Sequence, residues 1–150
     1  KPTVLIIEQR FPEEIAAKVG LAGGNMVSAM KALGCVGLVS NGPSRDLDEI
    51  RPMDFQYMLT GLTAGHGEQA VHAVNTPVSV GGMAVTPGEV VHMDENGACK
   101  FPADKIEAVL TNAKTLQLEE AGRQGRLHGA ESAAEVRAIF AGQEYAAKDD

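Results

Sequence analysis

The sequence is short of the residues that mark several classes of protein. It has no tryptophan, and aromatic residues make up only 4% of its 150 positions, so the core must be built from aliphatic side chains. No run approaches the ~18 consecutive apolar residues of a membrane-spanning helix, so we expect no membrane partner. Lysine and arginine total only 13, are scattered, and leave a net charge of -7. This charge balance excludes the basic footprint of a nucleic-acid-binding protein.

The cysteines and the first residues bear on the cellular compartment. Cys35 and Cys99 each stand alone in apolar surroundings, which is typical of small buried hydrophobes in a reducing compartment rather than of a disulfide. No secretion signal is visible, because Lys1 leads straight into a strand-like run. We therefore expect a cytoplasmic protein. The abrupt start also predicts that the chain lacks an N-terminal part of its domain.

The first 40 residues contain the pattern of a strand, a helix and a second strand. Residues 4–7 and 35–39 are continuous apolar runs, typical of strands buried on both faces. Between them, Asn25 is the predicted cap of a helix over 26–33, and Gly34 is its predicted C-terminal stop. Such a unit predicts two parallel strands joined by a right-handed crossover.

The rest of the chain changes character after residue 50. Short strand-like runs broken by Gly-Gly, Pro-Gly and a hairpin signal at residues 95–97 predict a β-rich second layer. A helical stripe follows Pro102, and residues 122–129 have the composition of a flexible linker. Ser132 and Glu135 form the capping box of a last helix. We therefore expect a domain over residues 1–112 and a C-terminal helical extension over 113–150.

Chemistry-bearing residues follow each of the first two predicted strands. In a parallel unit both exits lie at the carboxyl edge of the sheet, where ligands bind in open α/β folds. Free amides at a helix start, exposed by glycines, attract a carboxylate or phosphate. This role falls to Gly23, Gly24, Asn25 and Met26. At the second exit, Arg45 offers a planar fork for a carboxylate or 2-oxo acid, and Asp46 offers a ligand for Mg²⁺ or Mn²⁺.

Each of these features also has an ordinary structural explanation. A glycine pair before a helix is commonly only a turn, and Arg45 and Asp46 followed by Asp48 and Glu49 are typical of a solvated helix start. The shared sheet edge is what favours a functional site. Among the histidines, His66 in a loop is a candidate proton carrier, although a loop histidine commonly has no role. His72 and His92 lie in strand-like patterns and are interpreted as structural.

Two segments resemble a known family. GNMVSAMKALGCVGLVSNGPSRDLDEI (residues 24–50) and TPVSVGGMAVTPGEVVHMDENGACKFP (residues 76–102) resemble the regulator of ribonuclease activity A (RraA)-like family. That family includes 4-hydroxy-4-methyl-2-oxoglutarate aldolases and related oxaloacetate decarboxylases. The resemblance implies an α/β fold, a swivelling β/β/α sandwich like the phosphohistidine domains, assembled as a homotrimer or homohexamer.

The resemblance also implies residue roles. Arg45 matches the arginine that holds pyruvate, Asp46 matches the aspartate that ligates magnesium, and residues 23–26 match the loop whose amides hold the substrate carboxylate. Glu49 matches the family's acid three residues after the aspartate. Members that act purely as ribonuclease regulators tend to lose the aspartate next to the arginine. The presence of Asp46 therefore favours an enzyme.

One position departs from the aldolase pattern. The aldolases carry an aspartate twenty-one positions before the arginine, where it orients a metal-bound water, and here that position is Gly24. The segment over residues 9–22 is also longer than usual, so Glu8, Glu13 or Glu14 could substitute for the missing acid. This departure puts aldolase activity on the usual substrate in doubt, and the metal and 2-oxo-acid site less so.

The sequence therefore supports two functions. The first is a divalent-metal-dependent lyase, an aldolase or decarboxylase, that acts on a pyruvate-containing 2-oxo acid through an enolate stabilised by Mg²⁺ or Mn²⁺. The alternative is a non-catalytic protein-binding regulator of the RraA type, a ribonuclease inhibitor. A methyltransferase is not supported, because GLAGGN lacks the full glycine fingerprint of a nucleotide site.

Overall fold

The computed structural model of the protein describes residues 2–141. The chain divides into two compact units, Lys1–Ala103 and Asp104–Asp150. The expected boundary after residue 112 falls inside the long helix of the second unit, and residues 142–150 of the expected extension lie outside the described residues. Within the described range, no helix is both long enough and apolar enough to cross a membrane.

The first unit mixes short helices with short strands. Its helices are α1 (Glu13–Ala16), α2 (Gly24–Ala32) and α3 (Leu47–Ile50). Its strands are β1 (Thr3–Ile7), β2 (Cys35–Ser40), β3 (Gln56–Met58), β4 (Val78–Val80), β5 (Met83–Val85), β6 (Val90–Asp94) and β7 (Gly97–Phe101). A 3₁₀ turn, Arg51–Met53, follows α3.

The first three strands form one parallel sheet in the order β1-β2-β3. Ile7 pairs with Ser40, and Val39 pairs with Met58, so the carboxyl ends of all three strands meet at one edge. The parallel β1-α2-β2 unit predicted from the sequence is confirmed. The expectation that the strands after residue 50 all belong to a second layer was wrong for β3, which pairs with the free edge of the buried strand β2.

The remaining strands form two antiparallel hairpins. Gly81 and Gly82, both at positive φ, make the two-residue turn between β4 and β5. Glu95 and Asn96 turn the chain between β6 and β7, where Asp94 pairs with Gly97, as the hairpin signal predicted. The fold is therefore mixed α/β, and the arrangement of its sheets as a swivelling sandwich stays a prediction.

The core of the first unit lies where helices α2 and α3 pack on the parallel sheet. It is a cluster of buried side chains from α2, β2, α3 and the segments beside them: Leu21, Ala22, Val27, Cys35, Leu38, Ile50 and Phe55. Cys35 is buried as expected, but the expectation of a buried Cys99 was wrong, because β7 is an exposed hairpin strand. Burial of Leu21, Ala22 and Ile50 fixes the loops that leave the carboxyl edge of this sheet.

The ends of α2 differ in part from those predicted. The helix begins at Gly24 with Gly23 as its cap, and not after Asn25. Gly23 can act as the cap without a side chain because the first amide of the helix, Gly24 N–H, donates to Asp46 Oδ2 of a distant segment at 3.0 Å. At the other end, Gly34 adopts φ 88° and ends the helix as predicted.

The second unit contains α4 (Ile106–His128) and α5 (Ala133–Phe140). The linker predicted over residues 122–129 was wrong, because α4 continues through Gly122 and Gly125. Each helical glycine costs about 1 kcal/mol relative to alanine, which a cooperative helix of 23 residues tolerates. The capping box of α5 is confirmed, since Ser132 Oγ accepts from Glu135 N–H at 3.2 Å.

The central strand should dominate the stability of the first unit. Leu38 is fully buried in β2, so Leu38→Ala is expected to lower the free energy of unfolding by about 2–5 kcal/mol. The matched control is Leu33→Ala, because Leu33 is 88% exposed and its truncation should change that free energy by less than about 0.5 kcal/mol. Urea denaturation followed by circular dichroism measures both. Equal losses in the two variants would contradict the assigned core.

Candidate active site at the carboxyl edge of the parallel sheet

Three loops at the carboxyl edge are joined by backbone hydrogen bonds. The amide of Leu21 donates to Pro43 O at 2.8 Å, which ties the segment before α2 to the loop after β2. The amide of Ser44 donates to Gly61 O at 3.0 Å, and that of Gly20 donates to Gly65 O at 3.0 Å, which adds the loop after β3. These bonds hold the three loops as one platform.

A buried polar cluster lies beneath this platform. Ser44 is fully buried, and its Oγ, the Tyr57 hydroxyl and the carbonyl oxygen of Ala22 lie within hydrogen-bond distance of one another, with the two hydroxyls 2.6 Å apart. Burial raises the pKa of Tyr57, an effect that the hydrogen bond with Ser44 partly offsets, so the phenol stays a donor at neutral pH. The cluster fixes Ala22 immediately before the glycine pair. Apart from the position of Ser44 next to Arg45, no sequence pattern predicts this cluster.

The turn at Asp46 places its carboxylate against the start of α2. Its backbone is left-handed, with φ 59° and ψ 35°, a conformation that aspartate adopts more readily than most residues. In this turn Asp46 Oδ2 accepts from the Gly24 amide at 3.0 Å and lies 3.6 Å from Arg45 Nε. The negative carboxylate therefore sits at the positive end of the α2 dipole. The structure thus brings Gly24, Arg45 and Asp46 together.

The two glycines make room for two carboxylates. A Cβ on Gly23 would collide with Asp46 Oδ2 and lie 3.0 Å from Arg45 Nε. A Cβ on Gly24 would collide with Glu49 Oε2. Glu49, and not one of the upstream acids, therefore occupies the side-chain space at residue 24.

The other two predicted anion-binding residues follow in the first turn of α2. Asn25 and Met26 are exposed, and amides at these positions have no acceptor within their own helix. The Gly24 amide differs from them, because Asp46 already occupies it. An incoming carboxylate would therefore meet the amides of Asn25 and Met26 first.

Arg45 is held partly by the protein and partly open to a ligand. Its Nη1 donates to Gly20 O at 3.1 Å, and its side chain is 21% exposed. Over residues 2–141, no partner of Nη2 is found. Arg45 and Asp46 line an open pocket of about 430 Å³ with Leu47, Leu62, Thr63 and Ala64. The size suits a small organic acid, and the guanidinium fork suits its carboxylate.

The upstream acids proposed as substitutes lie elsewhere. Glu8 pairs with Arg10 Nε at 2.7 Å and accepts from the Ser79 amide at 2.8 Å. The hydrogen bond from Arg10, and then that from Ser79, lower the pKa of Glu8, which makes it a weaker base. Glu13 and Glu14 lie exposed in the first turn of α1.

The histidines stand apart from this arrangement. His66 is exposed in the loop after β3, one residue beyond Gly65 of the platform. His92 lies in β6 as expected, 3.4 Å from Asp94. The placement of His72 in a strand was wrong, because the segment from 66 to 73 has no regular structure. A role for His66 in proton transfer stays a prediction.

The donor set at the site suits one type of cation. Within residues 2–141, no group of three or more histidine, cysteine, aspartate or glutamate side chains is arranged to hold a metal. Magnesium, however, commonly takes one or two protein carboxylates and keeps several waters. Asp46, with Oδ1 not engaged by any other described residue and with Glu49 beside the same glycine pair, fits such a water-rich ion.

Comparisons with known proteins agree on the family. The profile described as RraA-like, Aldolase/RraA, matches residues 2–99. A Halalkalibacterium halodurans protein named as a candidate 4-hydroxy-4-methyl-2-oxoglutarate aldolase is 30% identical over 105 residues, which cover 69% of this chain and 50% of that protein. An Arabidopsis thaliana protein named in the same way is 34% identical over 86 residues. These residues cover 53% of this chain and 49% of the Arabidopsis protein. The chain thus spans about half the length of these relatives.

Solved structures give the same result. One match is Streptomyces coelicolor RraAS2, described as an unusual member of the RNase ES inhibitor RraA protein family. Its structure matches with a TM-score of 0.67 and 29% sequence identity, and the match covers 80% of this chain and 61% of the Streptomyces chain. An uncharacterised Pseudomonas syringae protein matches with a TM-score of 0.75 at 18% identity over 90% of this chain and 62% of its own, which shows the shared fold. The family resemblance of the sequence is confirmed: the chain belongs to the RraA-like family.

Proposed function

We propose that the protein is a divalent-metal-dependent lyase, an aldolase or decarboxylase, acting on a pyruvate-containing 2-oxo acid. One observation carries this proposal. Asp46 Oδ2 lies 3.0 Å from the Gly24 amide and 3.6 Å from Arg45 Nε, and Arg45 and Asp46 line a pocket of about 430 Å³. A cation ligand and a carboxylate-binding fork thus share one pocket beside the start of α2.

The residues divide the work of binding. Arg45, anchored through Nη1 to Gly20 O, presents its remaining N–H groups to the carboxylate and 2-oxo oxygen of the substrate. The amides of Asn25 and Met26 supply further donors at the positive end of α2. Asp46 would hold Mg²⁺ or Mn²⁺, and such an ion would supply positive charge near the 2-oxo group of the substrate. The anchored geometry keeps the scissile bond aligned.

The names of the relatives support the substrate class. The Halalkalibacterium and Arabidopsis proteins carry the name of an aldolase whose substrate is a 4-hydroxy-2-oxo diacid. The pocket and the arginine fit the pyruvate half of such a molecule, which decarboxylation of oxaloacetate shares. We therefore propose a 2-oxo acid of this kind.

A second candidate is a protein-binding regulator without catalysis. Gly24 stands where the aldolase pattern has an acid, and the Streptomyces structure belongs to a family described as RNase ES inhibitors. This function needs neither a cation at Asp46 nor a 2-oxo acid at Arg45. The two candidates therefore differ in what the purified protein binds.

We also propose that the chain assembles as a homotrimer or homohexamer. Val71 and Val74 are 81% and 79% exposed, apolar surface of the kind that symmetric association buries. Sedimentation velocity of the full-length protein at micromolar concentration is expected to give a trimer or a hexamer. A monomer under these conditions would contradict this proposal.

Removal of the Asp46 charge should abolish cation binding. Asp46→Asn keeps the left-handed turn and an oxygen that accepts from Gly24, so the free energy of unfolding should change by less than about 1 kcal/mol. The affinity for Mn²⁺, measured by electron paramagnetic resonance, should fall at least about 100-fold because the direct ligand is lost. Pyruvate release, followed through a coupled reductase, should vanish with it.

The matched control for this change is Asp54→Asn. Asp54 is exposed and also left-handed, with φ 51°, but it lies after the 3₁₀ turn and away from the pocket. Its substitution should leave Mn²⁺ affinity and pyruvate release at wild-type values. If the wild-type protein bound no Mn²⁺ and released pyruvate from no 2-oxo acid, the lyase proposal would fail and the regulator would become the better explanation.

The fork of Arg45 should matter beyond its charge. Arg45→Lys keeps one positive charge but loses the planar two-point contact and the Nη1 bond to Gly20 O. We expect kcat/KM for oxaloacetate to fall about 100-fold while Mn²⁺ affinity is retained. Steady-state kinetics measures kcat/KM, and the electron paramagnetic resonance titration measures Mn²⁺ affinity, so the two effects are separated. Unchanged kcat/KM would remove Arg45 from the proposed site.

A further inference from the structure

We infer that the first half of α4 pairs antiparallel with the same helix of a second copy of this chain. The helix begins at Ile106, beyond the residues 2–99 that the family profile matches, so this surface belongs to the C-terminal extension. The inference involves neither the metal nor the 2-oxo acid. It rests on the proposed assembly and deepens it, because it assigns the contact that would join two trimers as a hexamer.

The first half of α4 presents an uncovered apolar seam. Ile106, Val109 and Leu116 recur, with Ala113 between them, at the a and d spacing of two heptads. The three larger side chains are between 37% and 47% exposed, and Ala113 is exposed as well. Along the described length of α4, no side chain is buried. An apolar stripe of this kind needs a second surface to cover it.

The same face of α4 is partly covered further along the helix. Glu120, Arg123 and Leu127 continue the a and d positions and are partly buried. The short helix α5 packs on α4, and the two line a cleft at residues 125–130. With 8 residues, α5 is about 12 Å long, whereas the 23 residues of α4 extend for about 35 Å. A helix thus covers one end of the face, and residues 106–119 remain exposed.

The charges beside the seam are complementary in the antiparallel direction. Lys105 and Glu119 both occupy the g position, two heptads apart on one side of the seam. In an antiparallel pair, Lys105 lies opposite Glu119 of the partner subunit, and the same contact recurs at the other end. A parallel pair would instead set Lys105 beside Leu110 of the partner subunit. Within residues 2–141, neither Lys105 nor Glu119 has an ion-pair partner.

The shapes of the seam residues favour the same direction. The register that matches the charges sets Ile106 against Leu116 of the partner subunit. It also sets Val109 against Ala113 of the partner subunit, so that a larger side chain meets a smaller one. A parallel register would set Ala113 against its own copy and leave a thin layer between two thick ones. Charge and shape therefore select a second α4 as the occupant of the seam.

Two heptads make a short interface, and a single helix pair of this length is marginal in water. In a hexamer built from two trimers, three such pairs would form together. Once the first pair has formed, the others become intramolecular contacts at a high effective concentration. The seam is therefore expected to hold a hexamer although one isolated pair would dissociate.

A charge on the seam should split this hexamer. Leu116→Glu places a carboxylate in the paired apolar layer, so sedimentation velocity of the full-length protein at micromolar concentration should change from a hexamer to a trimer. The matched control is Leu118→Glu, because Leu118 is 76% exposed and lies at the f position, away from the seam. This control should remain a hexamer. If both variants remained hexamers, the pairing of α4 would be overturned.

An exchange of charges tests the direction of pairing. Lys105→Glu or Glu119→Lys alone sets like charges opposite each other, and each should raise the concentration for half-dissociation of the hexamer at least about 10-fold. The double variant should restore the wild-type value. Because these residues lie about 21 Å apart along one helix, the rescue cannot arise within a chain. Single variants without effect, or a double variant no better than the singles, would overturn the antiparallel register.

The assembly of the wild-type protein separates this inference from the proposed trimer. A stable trimer would keep that proposal and overturn the pairing of α4. A dimer that Leu116→Glu dissociates would support the pairing and contradict the trimer. A monomer would overturn both. Pyruvate release tests the lyase independently of each of these outcomes.

Discussion

The hydrogen bond from the Gly24 amide to Asp46 Oδ2 is the contact on which the site depends. It joins the start of α2 to the loop after β2, two segments 22 residues apart, and gives the first amide of the helix its acceptor. The bond requires a left-handed Asp46 and a residue at 23 without a side chain. Two local features of the sequence thus serve one contact.

This contact lies on a rigid base. The Ser44 and Tyr57 hydroxyls fix the Ala22 carbonyl, and Tyr57 packs edge-to-face on Phe55 of the core, with ring centroids 6.0 Å apart. A polar cluster whose donors all have acceptors adds order to a core, whereas an unpaired buried hydroxyl would cost stability. The residue before the glycine pair is therefore held in place. The position of Asp46 relative to Arg45 thus depends on packing as well as on charge.

The sequence predicted the parts of this arrangement that depend on periodic patterns. Two apolar runs around a helix imply parallel strands with a common edge, and that edge brings Arg45 and Asp46 to the glycine pair. The position of Glu49 could not be predicted, because it follows from one left-handed residue and a helix of only 4 residues. The prediction of a flexible linker over residues 122–129 was wrong for a different reason. Its glycines are a local signal, and helix cooperativity over α4 outweighs them.

The space beside Gly24 gives the departure from the aldolase pattern a physical meaning. A side chain on residue 24 and the present Glu49 conformation exclude each other, since a Cβ there would collide with Oε2. An acid on α2 and an acid from α3 are thus two routes to a carboxylate in one place. Moving the carboxylate from a short, helix-anchored side chain to a longer one costs more rotamer entropy when a substrate fixes it. The side-chain space that the aldolase pattern fills with an acid from α2 therefore still holds a carboxylate in this chain, supplied from α3.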